Sequence, residues 1–435
     1  MTELHIESLA YGGDAIAHLE DGRAAFVRAG CPGDVVDVEI AEDHGRFVRA
    51  EIKSILEPSP ERVEAPCPYF GVCGGCSWQH ISATAQLFAK RQSIVDALTR
   101  IGHIADAEQL VASTVASPRD YGYRNKIELV ARMDPSGLRI GYHKAGSDEL
   151  VPVDSCLLLP PKLQKAPKAL SGALRYLSGG QDLGFKRVAL RVAANTRDVE
   201  IALWTEPGSF PRKAAATTLG RALRSTSIVR VLAKGPDKER KVSGVEVLNG
   251  NGFWRERLNG RAMTVSAPSF FQVNTAAAEL LVGLAMDALH ADGSDRVVDL
   301  YAGAGTFTLP LAEVAGDVIA VEAASSAVRD LRRNLEDSQL YAEVVGGDAL
   351  RELKEMGAVD SLLVDPPRAG LADGAIEAIA KTRARTIAYV SCDPATLARD
   401  AKSLLGAGYR LAVATPVDLF PQTFHVETVA KFVRV

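Results

Sequence analysis

Arg296-Val297-Val298-Asp299-Leu300-Tyr301-Ala302-Gly303-Ala304-Gly305-Thr306 joins a short apolar run to a glycine-rich turn, and a helical pattern, TFTLPLAEVA, opens at its end. A buried strand that breaks into a tight turn and then a helix is the repeating unit of a parallel α/β sheet. The alternation continues downstream through DVIAVEA, the run before VVGGDAL, SLLVD and the run ending at Ser391. Residues 266–435 are therefore predicted to form a Rossmann-like α/β domain.

The glycines of the first turn allow a ligand close to the backbone. Glu322, nineteen residues after Gly303, closes the second strand, where a carboxylate can accept both hydroxyls of a ribose. No third glycine follows Thr306 and Phe307, which argues against a dinucleotide pyrophosphate. S-adenosylmethionine has no phosphate and needs only the shorter turn. Asp348 stands where a carboxylate facing adenine would sit, and it also suits the N-cap of the next helix. The fourth strand ends in Asp365-Pro366-Pro367-Arg368, a pattern of methyltransferases that set a planar base beside the methyl donor. Enzymes that methylate amino groups place an aromatic residue after that motif. Here Arg368 takes its place, and the next strand delivers a cysteine in Tyr389-Val390-Ser391-Cys392-Asp393-Pro394. That combination indicates methylation at carbon through a covalent adduct. The helix begun by Pro394 should aim its amides at the sulfur and favour the thiolate.

Charge divides unevenly along the chain. Residues 1–60 hold 5 basic and 12 acidic side chains, residues 61–265 hold 30 and 19, and residues 266–435 hold 15 and 23. The middle third, at +11 within a chain of net −4, has the electrostatic footprint of a polyanion partner. No apolar run reaches the ~20 residues of a membrane span, and the N-terminus lacks the pattern of a secretory signal. A cytoplasmic protein, most simply a monomer, is expected. Six cysteines in a reducing compartment point to metal ligation or catalysis rather than disulfides.

Residues 1–60 read as short strands divided by Gly-Gly-Asp, Asp-Gly-Arg and Cys-Pro-Gly-Asp turns, the pattern of a small OB-like barrel. Cys31, alone in its turn, is read as structural. Residues 61–265 read as an α+β domain: a helix over Ala85 to Ile101, then strands forming an antiparallel sheet with a hairpin at Asp134-Pro135-Ser136-Gly137. Tyr123, Arg124, Asn125 and Lys126 combine cations, an amide and an aromatic in a pattern suited to phosphate or base contact. Cys67, Cys73 and Cys76 fall within ten residues around Gly74 and Gly75, and Cys156 supplies a distant fourth thiol. Both a four-cysteine zinc site and a [4Fe-4S] cluster fit that count. Three ligands in one loop with one from afar, rather than two paired knuckles, favours the cluster.

These motifs together resemble the RNA 5-methyluridine methyltransferase family, and within it the ribosomal RNA branch that carries a TRAM domain and a [4Fe-4S] cluster. The resemblance rests on YGGDAIAH and GDVVDVEI in the barrel, the four cysteines, SFFQVN at 269–274, DLYAGAGTFT at 299–308, DPPRAG at 365–370, YVSCDPATLARD at 389–400 and FPQTFHVETV at 420–429. It implies that Gln272, Tyr301, Thr306, Glu322, Asp348 and Asp365 bind S-adenosylmethionine, Thr306 standing where asparagine is more usual. It also implies that Cys392 is the nucleophile, that Glu427 is the base, and that Cys67, Cys73, Cys76 and Cys156 hold the cluster. RNA is the implied partner, with Phe270 a candidate to stack on the target base and Arg124 and Lys126 candidates for RNA contact.

The chemistry calls for these residue types. C5 of uracil is a weak nucleophile until a thiolate adds to C6. A carboxylate must then remove the C5 proton so that the thiol can leave. Alternation along a last strand is expected to put His425 and Glu427 on one face. A tRNA uridine is the alternative target for the same chemistry. A cluster-bearing sensor or a non-catalytic RNA-binding module would leave the DPPRAG, SCDP and HVE motifs without a use, and DNA cytosine methylation usually presents its thiol as Pro-Cys.

Overall fold

The computed structural model of the protein describes residues 2–235 and 241–435. The C-terminal sheet has seven strands in the order Glu343–Gly346, Asp317–Glu322, Arg296–Leu300, Ser361–Val364, Thr386–Ser391, Glu427–Arg434 and Tyr409–Val417. The first five are parallel, as the strand-turn-helix pattern predicts. Glu427–Arg434 runs antiparallel between its two neighbours. Strand order reverses between Arg296–Leu300 and Ser361–Val364, and such a switch point opens a ligand crevice at the carboxyl ends of the strands.

Each face of this sheet is covered by helices that bury apolar side chains. On one side Ile94 and Leu98 meet Leu397, Leu404 and Phe432; on the other Leu281 and Ala285 pack with Trp254, Phe307 and Val390. Ile94 and Leu98 belong to the helix Ala83–Arg100, whose N-cap Ser82 accepts from the Ala85 amide. This helix lies within the middle third of the sequence, yet it covers the C-terminal sheet. Val111 and Val115 then bridge to Ala414 and Val417 at the edge of that sheet. The hairpin Trp254–Leu258 and Arg261–Val265 also packs into the C-terminal core. Packing thus crosses the sequence division at 265.

The central sheet runs Lys241–Gly250, Ser227–Lys234, Val199–Thr205, Phe185–Val192, Lys126–Asp134, Gly137–His143 and Leu150–Val151. The hairpin at Asp134 and Gly137 forms as predicted. The expected all-antiparallel sheet does not: Val199–Thr205 and Ser227–Lys234 are parallel, because the helix Arg212–Ala222 carries the chain back between them. At the N-terminus six strands between Thr2 and Glu57 pack Leu4, Val27, Val36 and Val48 around Ala15, Ala17 and Ala25. Small side chains suit the narrow interior of a small barrel. Among the described residues no helix is long and apolar enough to cross a membrane.

Candidate active site

Three neighbouring strands bring together the predicted nucleophile and base and the predicted cofactor contact Asp365. Asp365 directly follows Ser361–Val364, and Cys392 directly follows Thr386–Ser391. Glu427 opens a strand of opposite direction whose Thr428 is paired with Ser391, so its first residue meets the carboxyl ends of the others. His425, expected on the same strand face as Glu427, instead precedes the strand in the loop after residue 417.

Burial lifts the Cys392 thiol to about 11, with the Glu427 carboxyl adding to the effect and Arg368 opposing it. This corrects the expectation that the following helix favours the thiolate. Asp393 caps that helix, its side chain accepting from the Ala395 and Thr396 amides at 3.0 and 2.9 Å. Burial keeps the resting residue a thiol, and the amides that would have faced the sulfur are taken by a carboxylate.

Glu427 is 5% exposed, and burial holds its carboxyl well above the ordinary 4.5; Asp365 adds to the rise and Arg368 opposes it. Burial also lifts Asp365 to about 7, with Asp299 contributing. Asp299 is fully buried and is likewise lifted to about 7. Its Oδ2 accepts from Thr308 at 2.5 Å while Oδ1 has no partner. Carboxyl groups brought this close without a full complement of cations favour the neutral form, and a cation entering the crevice would ionise them. The sequence reading missed Asp299; an acidic residue inside an otherwise apolar strand was the available signal.

On the cofactor side, Glu322 accepts from the Gly303 amide at 2.8 Å and the Ala324 amide at 2.6 Å, which ties the second strand end to the glycine turn. Tyr301 adopts φ +66°, a strained conformation of the kind found at functional sites. Asp348 caps the helix Ala349–Glu355 through the Arg351 amide at 3.0 Å and stays exposed. Thr306 lines a small recess with Leu258, Asn259 and Met263, on the side of the hairpin. The SFFQVN loop is held from the central sheet. Buried Arg191 donates to the Ser266 and Ser269 carbonyls, and Asn125 donates to the Gln272 carbonyl at 2.8 Å. Asp330 accepts from Ser266 and Ser269. These ties bury Gln272 and leave Phe270 66% exposed. Arg191, Asn125 and Asp330 were not legible as site supports, because their partners lie 61 to 147 residues away.

Of the four neighbours at 123–126, Tyr123 and Asn125 are buried in this interface, Tyr123 donating to the Pro421 carbonyl at 3.1 Å. Only Arg124 and Lys126 line open space. They share a cavity of about 480 Å³ with Arg368, Phe420, Thr423 and His425, and with all four of Cys67, Cys73, Cys76 and Cys156. His425 is pushed down to about 4 by burial and the nearby cations, so it is neutral. The four thiols are unpaired, and burial lifts Cys76 to about 12. Gly74 fits where a Cβ would lie 3.0 Å from the His143 carbonyl oxygen. Among the described residues no three His, Cys, Asp or Glu side chains are gathered tightly enough to hold a single metal ion.

A largely parallel sheet with a glycine turn and a crevice at the switch point is the architecture of S-adenosylmethionine-dependent methyltransferases. The tRNA (uracil-5-)-methyltransferase family model matches residues 243–344 and 350–434, and the TRAM domain matches residues 2–53. An uncharacterised RNA methyltransferase of Thermosynechococcus vestitus is 35% identical, covering 98% of this chain and 97% of that one. The 23S rRNA (uracil(1939)-C(5))-methyltransferase of Cronobacter sakazakii is 33% identical over 98% of this chain and 94% of the relative. Among solved structures, the Pyrococcus abyssi tRNA (uracil-54, C5)-methyltransferase, in complex with S-adenosyl-L-homocysteine, superposes with a TM-score of 0.75 at 26% identity, covering 98% of this chain and 99% of that one. The chain belongs to the RNA uracil-C5 methyltransferase family and begins with a TRAM domain.

Proposed function

We propose that the protein methylates C5 of a uridine in 23S ribosomal RNA, with Cys392 as nucleophile and Glu427 as base. The observation that carries this reading is the meeting of Cys392, Asp365 and Glu427 at three adjacent strand ends beside the cofactor turn. Bound S-adenosylmethionine supplies an electrophilic methyl group. Gln272, Tyr301, Glu322, Asp348 and Asp365 would frame its site; Thr306, expected there too, lines the recess beside the hairpin.

Cys392 Sγ, once deprotonated, adds to C6 and pushes electron density onto C5, which then takes the methyl. The adduct keeps one C5 proton. Glu427 removes it, C5 and C6 regain their double bond, and Sγ leaves. A buried carboxyl with a raised affinity for protons is a strong base once ionised. Arg368 lowers the proton affinity of both Cys392 and Glu427, so it favours their charged forms during the reaction. Phe270, which is exposed, offers a ring on which the flipped base can stack, offsetting the few kcal/mol that unstacking costs. Arg124, Lys126 and Arg368 supply positive charge for RNA phosphates.

Cys67, Cys73, Cys76 and Cys156 would hold a [4Fe-4S] cluster, which their chemistry and shared cavity fit. Ribosomal RNA is favoured by the named 23S rRNA relatives, while the solved tRNA enzyme keeps a tRNA uridine as the second reading. Incubation with labelled cofactor and unmodified total RNA, followed by sizing, separates the two. Cys392→Ala should give neither product nor covalent complex. Glu427→Gln should accumulate a methylated protein–RNA adduct that survives denaturing gels, with turnover reduced ~10²-fold or more. Methylated RNA released by Cys392→Ala would overturn the assignment.

A further inference from the structure

The N-terminal barrel reaches the nucleophile itself. Its turn Ala10 to Asp14 is closed by a bond from the Ala10 amide to the Asp14 carbonyl at 2.9 Å and points into the junction of the other two domains. Within that turn the Tyr11 hydroxyl donates to the backbone carbonyl of Cys392 at 3.1 Å, across 381 residues of sequence. The Tyr11 ring stands edge-on to Phe424, centroids 5.3 Å apart at 87°. Gly13, at φ +102°, lets the turn approach so closely that a Cβ would lie 3.1 Å from the Phe424 ring and 3.2 Å from Ser77. Trp78 locks the turn from the far side by donating to the Gly13 carbonyl at 3.0 Å. The Ser77 and Trp78 amides both donate to the Gln422 carbonyl at 3.0 Å, so one knot holds the barrel turn and the loop leading to Glu427.

We propose that Tyr11 is a positioning residue for the methylation reaction: by fixing the Cys392 carbonyl it sets the direction of Sγ towards C6 of the target base, making the barrel part of the catalytic centre. This rests on the assignment of Cys392 as nucleophile. Cys392 is the junction between the strand Thr386–Ser391 and the helix Pro394–Gly406, and its carbonyl lies outside both elements. The N–H of the same peptide, on Asp393, donates to Ser391 Oγ at 3.2 Å; without Tyr11 its carbonyl end could still tilt and swing the side chain away from attack geometry. Misplacement of a reacting atom by about 1 Å is enough to slow a reaction by ~10²-fold. Burial raises the Tyr11 hydroxyl above its ordinary range, which keeps it protonated and able to donate. An RNA segment that shifts the barrel would move the nucleophile with it.

Tyr11→Phe removes the hydroxyl and keeps the ring against Phe424. With RNA carrying 5-fluorouridine at the target, the single-turnover rate of adduct formation should fall roughly tenfold, the scale of one lost hydrogen bond. RNA affinity and thermal stability should stay near wild type. In parallel, the rate of iodoacetamide alkylation at Cys392, followed peptide by peptide across pH, should change several-fold. Unchanged adduct and alkylation rates would overturn the proposal. So would a rate loss that saturating RNA restores, since Tyr11 would then be an RNA contact. A wild type that forms no adduct would sink the covalent reading, while the alkylation arm would still decide whether Tyr11 positions Cys392.

Discussion

Lys90→Met tests the loop that carries Phe420 and His425. Lys90 lies fully buried in the helix Ala83–Arg100 and donates to Asp418 Oδ1 at 2.5 Å and to the Phe420 carbonyl at 3.0 Å. Methionine keeps the stem and removes the ammonium, stranding a carboxyl that is 5% exposed. Breaking a buried pair from one side costs about 3–5 kcal/mol. The carboxyl can escape part of that by taking a proton. In the intact fold burial already holds Asp418 above its ordinary 3.8 against the pull of Lys90, and the substitution lifts it further. The folded variant then keeps a proton that the unfolded chain releases, so its stability falls as pH rises from near 3.8 through the folded value. Urea unfolding should show a deficit of about 3 kcal/mol near pH 8 that shrinks towards pH 5, and Asp418→Asn added to Lys90→Met should recover part of it. A deficit below about 1 kcal/mol at pH 8, or one independent of pH, would refute the reasoning. Methyl transfer should slow as well, because the loop that frames the base would lose its anchor.

Gly305→Ala should destabilise the fold by about 1–3 kcal/mol and weaken cofactor binding in calorimetry: Gly305 sits at φ +100°, and a Cβ would lie 2.5 Å from Leu309 and 2.8 Å from Leu331. Adduct formation should rise with pH by about tenfold per unit well below the thiol's value, since only the thiolate attacks and Cys392 is lifted to about 11. A flat profile from about pH 6.5 to about pH 8.5 would show a thiol already ionised. Anaerobically purified protein should absorb broadly near ~400 nm and carry about four irons per chain, whereas stoichiometric zinc without iron would reject the cluster. Cys76→Ala should lower stability more than it slows the methyl-transfer step.

Local pattern made much of this protein legible in its sequence. The run 296–306, the DPPR and SCDP junctions and the barrel's turns announce themselves because strand-turn-helix punctuation is set by residues within a few positions of each other. Chemistry-bearing side chains at the ends of the parallel strands inherit their place from that local order, which is why Asp365 and Cys392 could be expected there; Glu427 was expected within a last strand beside His425, and only the antiparallel return of the chain brings it to the same strand ends. What surrounds them could not be expected, since burial and hydrogen bonding depend on segments far away in the chain. Asp393 takes the helix amides, and burial leaves Cys392 a thiol. Tyr123 and Asn125 turn inward to hold a loop rather than outward to RNA. The helix after Ser82 leaves its sequence neighbours to cover the C-terminal sheet, and Tyr11 crosses from the barrel to the nucleophile. Local pattern alone places Asp365 and Cys392 at the strand ends; only tertiary packing decided that Glu427 joins them, which of these groups keep their protons and which way they face, because all follow from the solvent and the partners that the rest of the chain excludes or supplies.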